Sequence, residues 1–174
     1  MYRGLYRGAG AERVDAVTST EPTPTTSARP GDPEDAALCD ALVTEHSVVY
    51  GYGIVSAHTM PDLNAMVAEA LSQHRRRRDA VIAMLAARSV TGPVAAAGYQ
   101  LPFPVNNAND AARLAVRMEN DAAVAWRAVV EQAKAPDRRS FAVTALTQSA
   151  VMAARWNRVL GAWPMTMAFP GGSE

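Results

Sequence analysis

The sequence predicts an all-α protein of four long helices, and three observations carry the prediction. Apolar residues recur at helical spacing through segments near residues 32–57, 62–88, 108–134 and 137–160, with Pro, Gly, Asn or Asp at the boundaries. Alanine is abundant while aromatic residues make up only 6% of the chain, a balance that favours closely packed helices over a β-sandwich. The total of 174 residues suits one domain with a core of its own. The expected organisation is an N-terminal arm over residues 1–31, a helical body over 32–161 and an extended C-terminal tail over 162–174.

The arm is rich in Gly, Arg, Ser, Thr and Pro and has little to bury, so disorder is expected there. Val17 would serve as an alternative start, which sets residues 1–16 apart. Helix 1 opens at Asp32-Pro33-Glu34-Asp35, an acid at the cap, a proline in the first helical position and two acids in the positive first turn. Leu38, Leu42, Val49 and Tyr52 define its inner face, and Glu45 falls in the same stripe. Gly51 and Gly53 are costly inside a helix and point to a neighbouring backbone at close range.

A short link around His58–Pro61 makes helices 1 and 2 antiparallel neighbours. In helix 2, Leu63, Val67 and Leu71 precede His74-Arg75-Arg76-Arg77-Arg78-Asp79, and Val81, Ile82 and Leu85 follow. A helix turns once in about 3.6 residues, so four consecutive arginines surround its axis and at least one must face inward. The register through Leu71, His74 and Leu85 selects Arg78, with Arg77 second. Gly92-Pro93 closes the segment. Residues 94–107 carry Gly98, Pro102 and Pro104 and read as extended chain, long enough at about 3.3 Å per residue to travel about 45 Å. Helix 3 follows with Ala111, Leu114, Ala115, Met118, Ala122 and Ala125 inward, capped by Asn107 or Asn109. The tight Ala135-Pro136-Asp137 turn sends helix 4 back antiparallel, with Phe141, Leu146, Met152 and Trp156 inward and Gly161 at its end. In the tail, Trp163, Met165, Met167 and Phe169 alternate with smaller residues, an apolar strip that must cover its own body or a partner subunit.

Several functional classes are disfavoured at once. Lys and Arg number 17 against 17 Asp and Glu, so no global field invites nucleic acid or an anionic surface. No apolar stretch approaches the length of a membrane span, and no leader-like segment stands at the N-terminus. Cys39 is the only cysteine, which rules out an intrachain disulfide and fits a reducing cytoplasm. It reads as a small buried residue rather than a nucleophile. There is no Gly-rich phosphate loop, no CxxC and no Ser-His-Asp set; Ser149 has no base beside it in sequence.

At mid-height the helices offer polar residues in otherwise apolar stripes: Glu45, His74 with Arg77 and Arg78, Glu119 with Asp121, and Gln148 with Ser149. Charges in a helical core are expensive unless they pair or bind a cation. Glu45, His74 and Glu119, with the long connection between helices 2 and 3, resemble the ferritin-like superfamily. Glu45-His46 with Tyr50-Gly51-Tyr52-Gly53, His74 through Asp79, Tyr99-Gln100-Leu101-Pro102, Arg155-Trp156 and Phe169-Pro170-Gly171 resemble an alanine-rich bacterial branch of that superfamily, over roughly residues 36–171. The resemblance implies a ferritin-like four-helix bundle with a long crossover between helices 2 and 3, and no particular activity.

The departures from that pattern bear on the chemistry. A ferritin-like di-iron centre draws one Glu from each of two helices and Glu-x-x-His from each of the other two. Here Leu71 stands three residues before His74, and helix 4 has neither His nor any acid beyond Asp137. An Arg–carboxylate–His network of Glu45, His74, Arg77, Arg78, Glu119, Asp121 and Gln148 is therefore expected in place of the metal pair. No catalytic residue and no cofactor are expected, and a structural or interaction protein is favoured over an enzyme. A homodimer or higher homo-oligomer is the expected assembly. The first alternative is a reduced mononuclear site of Glu45, His74 and Glu119 holding iron, manganese or zinc for metal handling or redox work. A small-molecule pocket between the helices is another. The last alternative is nucleic-acid binding through basic faces, at Arg75–Arg78 and at Arg138, Arg139, Arg155 and Arg158 on helix 4. It is disfavoured because no aromatic residues are interleaved for stacking. His46 is expected at the surface or an interface, and His58 exposed in the link between helices 1 and 2.

Overall fold

The computed structural model describes residues 29–172, and within them the protein is all-helical, with four long helices and no strand. Most of the arm expected to be disordered, residues 1–28, lies outside the described residues, as do residues 173 and 174.

Helix α1 spans Pro33–His58, and its start is the one the sequence spells out. The Asp32 carboxylate accepts from the amides of Glu34 and Asp35 at 3.0 and 3.2 Å, satisfying two of the four amides a helix leaves free. A 3₁₀ turn at Pro61–Leu63 leads into α2, Asn64–Ala87. Helix α2 ends at Ala87, within a residue of the expected Arg88: Ser89 takes the left-handed conformation, φ 57°, and the Val90 amide returns to the Leu85 carbonyl at 2.9 Å. Helix α3 spans Ala108–Gln132. At its start the Asn107 side chain accepts from the Asp110 amide, and the Asp110 carboxylate accepts from the Asn106 amide, a reciprocal cap. Helix α4, Pro136–Leu160, ends on Gly161 at φ 64°, with the Ala162 amide donating to the Asn157 carbonyl.

The residue pairs that meet define the helix directions. Glu45 meets His74 and Asp35 meets Arg88, so α1 and α2 run antiparallel. Tyr52 meets Glu119 and Glu45 meets Trp126, so α1 and α3 are antiparallel as well. Arg77 meets Ser149 and Glu69 meets Arg155, which sets α2 against α4. Glu34 with Arg138 and Tyr52 with Trp156 put α1 and α4 parallel. Helices α2 and α3 therefore point the same way, and the chain between them must return along the length of the body.

It does so beside α1. Gly92 sits against Leu42, the Pro93 carbonyl lies 3.3 Å from His46 Nε2, and the Tyr99 ring is 5.4 Å from that of Tyr50. Val90, Leu101, Phe103 and Val105 anchor this crossover on the core. Leu38, Leu42, Tyr52, Leu85, Leu114, Trp126, Met152 and Trp156 form the core itself. Val48 rather than Val49 fills the α1 stripe, one position from the expected register. Of the two helical glycines, only Gly51 has a close neighbour. A Cβ there would lie 2.1 Å from Met118 Sδ, a side chain rather than a backbone, whereas Gly53 faces open space.

Candidate functional site

A buried polar layer crosses the middle of the core. Each helix contributes to it from positions on its inner stripe, because the residues one turn away, such as Leu42 and Val48 around Glu45, must also face inward. Both ring nitrogens of His74 are engaged: Nδ1 donates to Glu45 Oε2 at 2.7 Å and Nε2 to Glu119 Oε1 at 3.1 Å. Two carboxylate acceptors require two N–H donors, so the ring is an imidazolium. Burial pushes its pKa down, but the hydrogen bonds to Glu119 and Glu45 outweigh that and raise it to about 9.

The second cation is Arg77. Its Nη1 donates to Ser149 Oγ at 2.9 Å and lies 3.6 Å from Glu45 Oε1, while Nη2 donates to Gln148 and Gln73, each at 3.2 Å. Two carboxylates thus face two cations. Neutral donors complete the layer. Trp126 Nε1 donates to Glu45 Oε1 at 2.7 Å, Tyr52 donates to Glu119 Oε1 at 2.6 Å, and Trp156 Nε1 donates to the Tyr52 oxygen at 3.1 Å. Burial, reinforced by the Glu119 charge, lifts the Tyr52 phenol well above its ordinary pKa, so it remains a donor. Among the described residues, Glu119 Oε2 is a buried oxygen with no partner.

The structure brings together Glu45, His74, Arg77, Glu119 and Gln148, but it removes two of the residues expected with them. Arg78 is half-exposed and pairs with its neighbour Asp79 at 2.8 Å, so Arg77 is the inward guanidinium. The expected register was one residue out, because His74 and Arg77, three apart, share the face that Val81 and Leu85 continue. Asp121 is exposed and pairs with Arg117 at 2.9 Å; it lies two residues from Glu119 and so on another face.

Tyr52, Trp126 and Trp156 are the members sequence reasoning did not place in the layer; Ser149 was expected at its height beside Gln148, without a partner. A signal for two of them exists. Tyr52 stands seven residues after Glu45, and Trp126 seven after Glu119, two turns along the same faces. Once α1 and α3 run antiparallel, each carboxylate meets the aromatic donor of the other helix.

A second charged cluster closes one end of the helices. Glu34, fully buried, accepts from Arg138 Nε at 2.6 Å and Nη2 at 3.2 Å and lies 3.3 Å from Arg88 Nη1. Arg88 also bonds Asp35, and Lys134 Nζ lies 2.5 Å from Asp32. The Arg138 guanidinium holds the Glu34 carboxyl below its ordinary pKa, and Lys134 does the same for Asp32. This clasp ties the starts of α1 and α4 to the end of α2. Of the basic residues expected on the surface of helix 4, the clasp takes Arg138, and Glu69 of α2 pairs with Arg155; Arg139 bonds only the neutral Ala133 carbonyl and keeps its charge.

Fold and site together define an all-helical protein with a buried, charge-balanced polar layer. Within that class the chain belongs to the family described as a domain of unknown function (DUF4439), which matches residues 37–174. A solved structure of a conserved hypothetical protein, rv2844, from Mycobacterium tuberculosis is 68% identical with a TM-score of 0.74; the match covers 75% of this chain and 99% of that one. No curated protein matches the chain. Among the described residues no helix is long and apolar enough to cross a membrane.

Proposed function

We propose that the protein is a ferritin-like four-helix scaffold in which an ionic network stands where relatives of that fold hold metal, and that it serves a structural or interaction role rather than catalysis. The observation that carries this reading is His74, whose two nitrogens each lie within hydrogen-bond distance of a different carboxylate, an arrangement that favours the imidazolium. An imidazolium has no lone pair for a metal, and the Arg77 guanidinium 3.6 Å from Glu45 repels one. Glu45, His74 and Glu119 are the right donor types for iron, manganese or zinc. As arranged, they do not fit such an ion unless the ring loses a proton and turns away from a carboxylate. The helix directions and the long α2–α3 crossover support the ferritin-like connection. The free, buried Cys39 agrees with a cytoplasmic setting. Trp163 and Phe169, 85% and 68% exposed on the tail, suit a contact between subunits of a homodimer or higher homo-oligomer.

A reduced mononuclear metal site is the second reading, and the orphaned Glu119 Oε2 favours it. Metal content by mass spectrometry separates the two, on protein grown with added iron and manganese beside Glu45→Ala. The ionic scaffold predicts substoichiometric metal in both proteins. Near-stoichiometric metal that disappears in Glu45→Ala would replace it with the metal site.

A further inference from the structure

A concavity lies away from the polar layer, between the outer face of the second half of α4 and the tail that folds back over it. It encloses about 630 Å³, within the range of small-molecule sites. Its walls are chiefly apolar, with Leu146, Ala150, Val151 and Ala154 on α4 facing Met165 and Met167 of the tail. The tail is held over the groove at two places. The Asn157 side chain donates to the Met165 carbonyl at 3.0 Å, and Gly171, at φ 75°, lies against the Ala123 carbonyl of α3. Methionine walls adapt to ligands of irregular shape.

Among the described residues that line this groove there is no Asp or Glu, while Arg155 and Arg158 are both present. Arg155 shares its charge with Glu69 at 2.7 Å. Arg158 is exposed and, among the described residues, is the arginine of α4 with neither an ion-pair partner nor a hydrogen-bond acceptor. An apolar trough ended by an uncompensated guanidinium matches an apolar chain ended by an anion. We propose that this groove binds a single-chain amphipathic carboxylate of the fatty-acid type, its hydrocarbon along Leu146, Ala150 and Met167 and its carboxylate at Arg158, with Arg155 as the second donor. Residues 1–28 of the same chain are a poorer occupant on charge, since their Arg3, Arg7 and Arg13 equal their three acids and bring no net anion to the arginines.

The test is calorimetric titration of the full chain with sodium dodecanoate below its micelle concentration. Saturable one-to-one binding is expected, weakened at least fivefold by Arg158→Ala and retained in Arg158→Lys. Ala150→Trp, which fills the trough, is expected to abolish it. Dodecanol, which has the chain without the charge, is expected to bind wild type and Arg158→Ala equally, and wild type more weakly than dodecanoate does. Should Ala150→Trp fail to fold by circular dichroism, the Arg158 pair carries the test alone. The proposal is overturned by an absence of saturable binding, by equal affinity for dodecyltrimethylammonium, or by indifference to Arg158→Ala. It is also overturned if binding appears only after deletion of residues 2–28, which would assign the groove to the arm. A dimer in sedimentation that Ala150→Trp splits into monomers would assign it to a second copy.

Discussion

Arg77 and Arg78 are adjacent, chemically identical and expected to differ several-fold in what they contribute to stability. Replacing Arg77 by alanine removes hydrogen bonds to Ser149 at 2.9 Å and to Gln148 and Gln73 at 3.2 Å, and leaves one cation facing two buried carboxylates. Its gross attraction to Glu45 at 3.6 Å is about 5 kcal/mol at an effective dielectric constant of about 20. Breaking one side of a buried ionic contact costs roughly 3–5 kcal/mol, because the stranded charge keeps its desolvation penalty. Arg78→Ala removes a partly exposed contact to Asp79 and should cost less than about 0.5 kcal/mol. In a chain of this size the first substitution lowers Tm by roughly 6–20 °C and the second by no more than about 2 °C. Urea unfolding at pH 7, followed by circular dichroism with the slope checked for constancy, reads both. Adding Glu45→Gln to Arg77→Ala removes the stranded charge and should restore at least about 1 kcal/mol relative to additivity. Equal losses for the two arginines, or a loss below about 1 kcal/mol at Arg77, would refute the charge-balanced layer.

The same layer predicts a dependence on alkaline pH. His74 has its pKa raised from 6.5 to about 9 on folding, so its contribution is complete below about pH 6.5 and lost as the pH rises through about 9. At about 1.4 kcal/mol per unit this amounts to roughly 3 kcal/mol; a urea midpoint that falls no more in wild type than in His74→Gln between pH 6 and 10 contradicts an imidazolium. Glu34 has the opposite sign. Its folded pKa lies below the ordinary 4.5, so the clasp stabilises above that value and weakens as the pH falls through the lowered one. Glu34→Gln should cost about 2 kcal/mol at pH 7, discounted for the partly exposed Arg88 and Arg138, and should flatten the acid limb of the stability profile. Gly53→Ala should add about 1 kcal/mol in the same denaturant melts, since the site is helical and open, whereas Gly51→Ala forfeits that gain by displacing Met118. Equal effects at the two glycines would show that Met118 does not depend on the missing Cβ.

The four helices were legible because local signals mark them: the Asp32-Pro33 start, the Asn107 cap, the Gly161 end and apolar periodicity between them. The end of α2 near Arg88 was legible too, although the left-handed Ser89 that turns the chain there is a conformation its residue type rarely adopts and no motif announces. Glu45, His74 and Glu119 were readable as polar interruptions of apolar stripes. The choice between Arg77 and Arg78 was not, since neighbouring positions differ by about 100° around the axis and the α2 stripe is too sparse to resolve them. Asp121 failed for a related reason: a shared height says nothing about a shared face. The clasp of Glu34 with Arg88 and Arg138 joins residues 54 and 104 positions apart, and their separate local signals, a helix cap and a basic face, hid the pairing.

Polar contacts at both the middle and one end of the helices bear on how the chain selects a single arrangement. Alanine lines much of the packing surface, with Ala111, Ala115, Ala122, Ala142 and Ala145 fully or almost fully buried on α3 and α4. Along those alanines the seam is smooth, so the register of these helices rests on their few large side chains, Leu114, Trp126, Met152 and Trp156, and on the polar contacts. Sliding one helix past another by a turn moves each residue about 5.4 Å along the axis. That would separate His74 from both carboxylates, Trp126 from Glu45 and Tyr52 from Glu119 together. At the clasp it would part Arg88 from Asp35 and Arg138 from Glu34. The ionic groups therefore add to the large core side chains in discriminating between registers, which is the best-attested use of buried polar residues in helical assemblies. On this account the four buried charges contribute less through their mutual attraction, which desolvation largely cancels, than through the alternative registers they exclude.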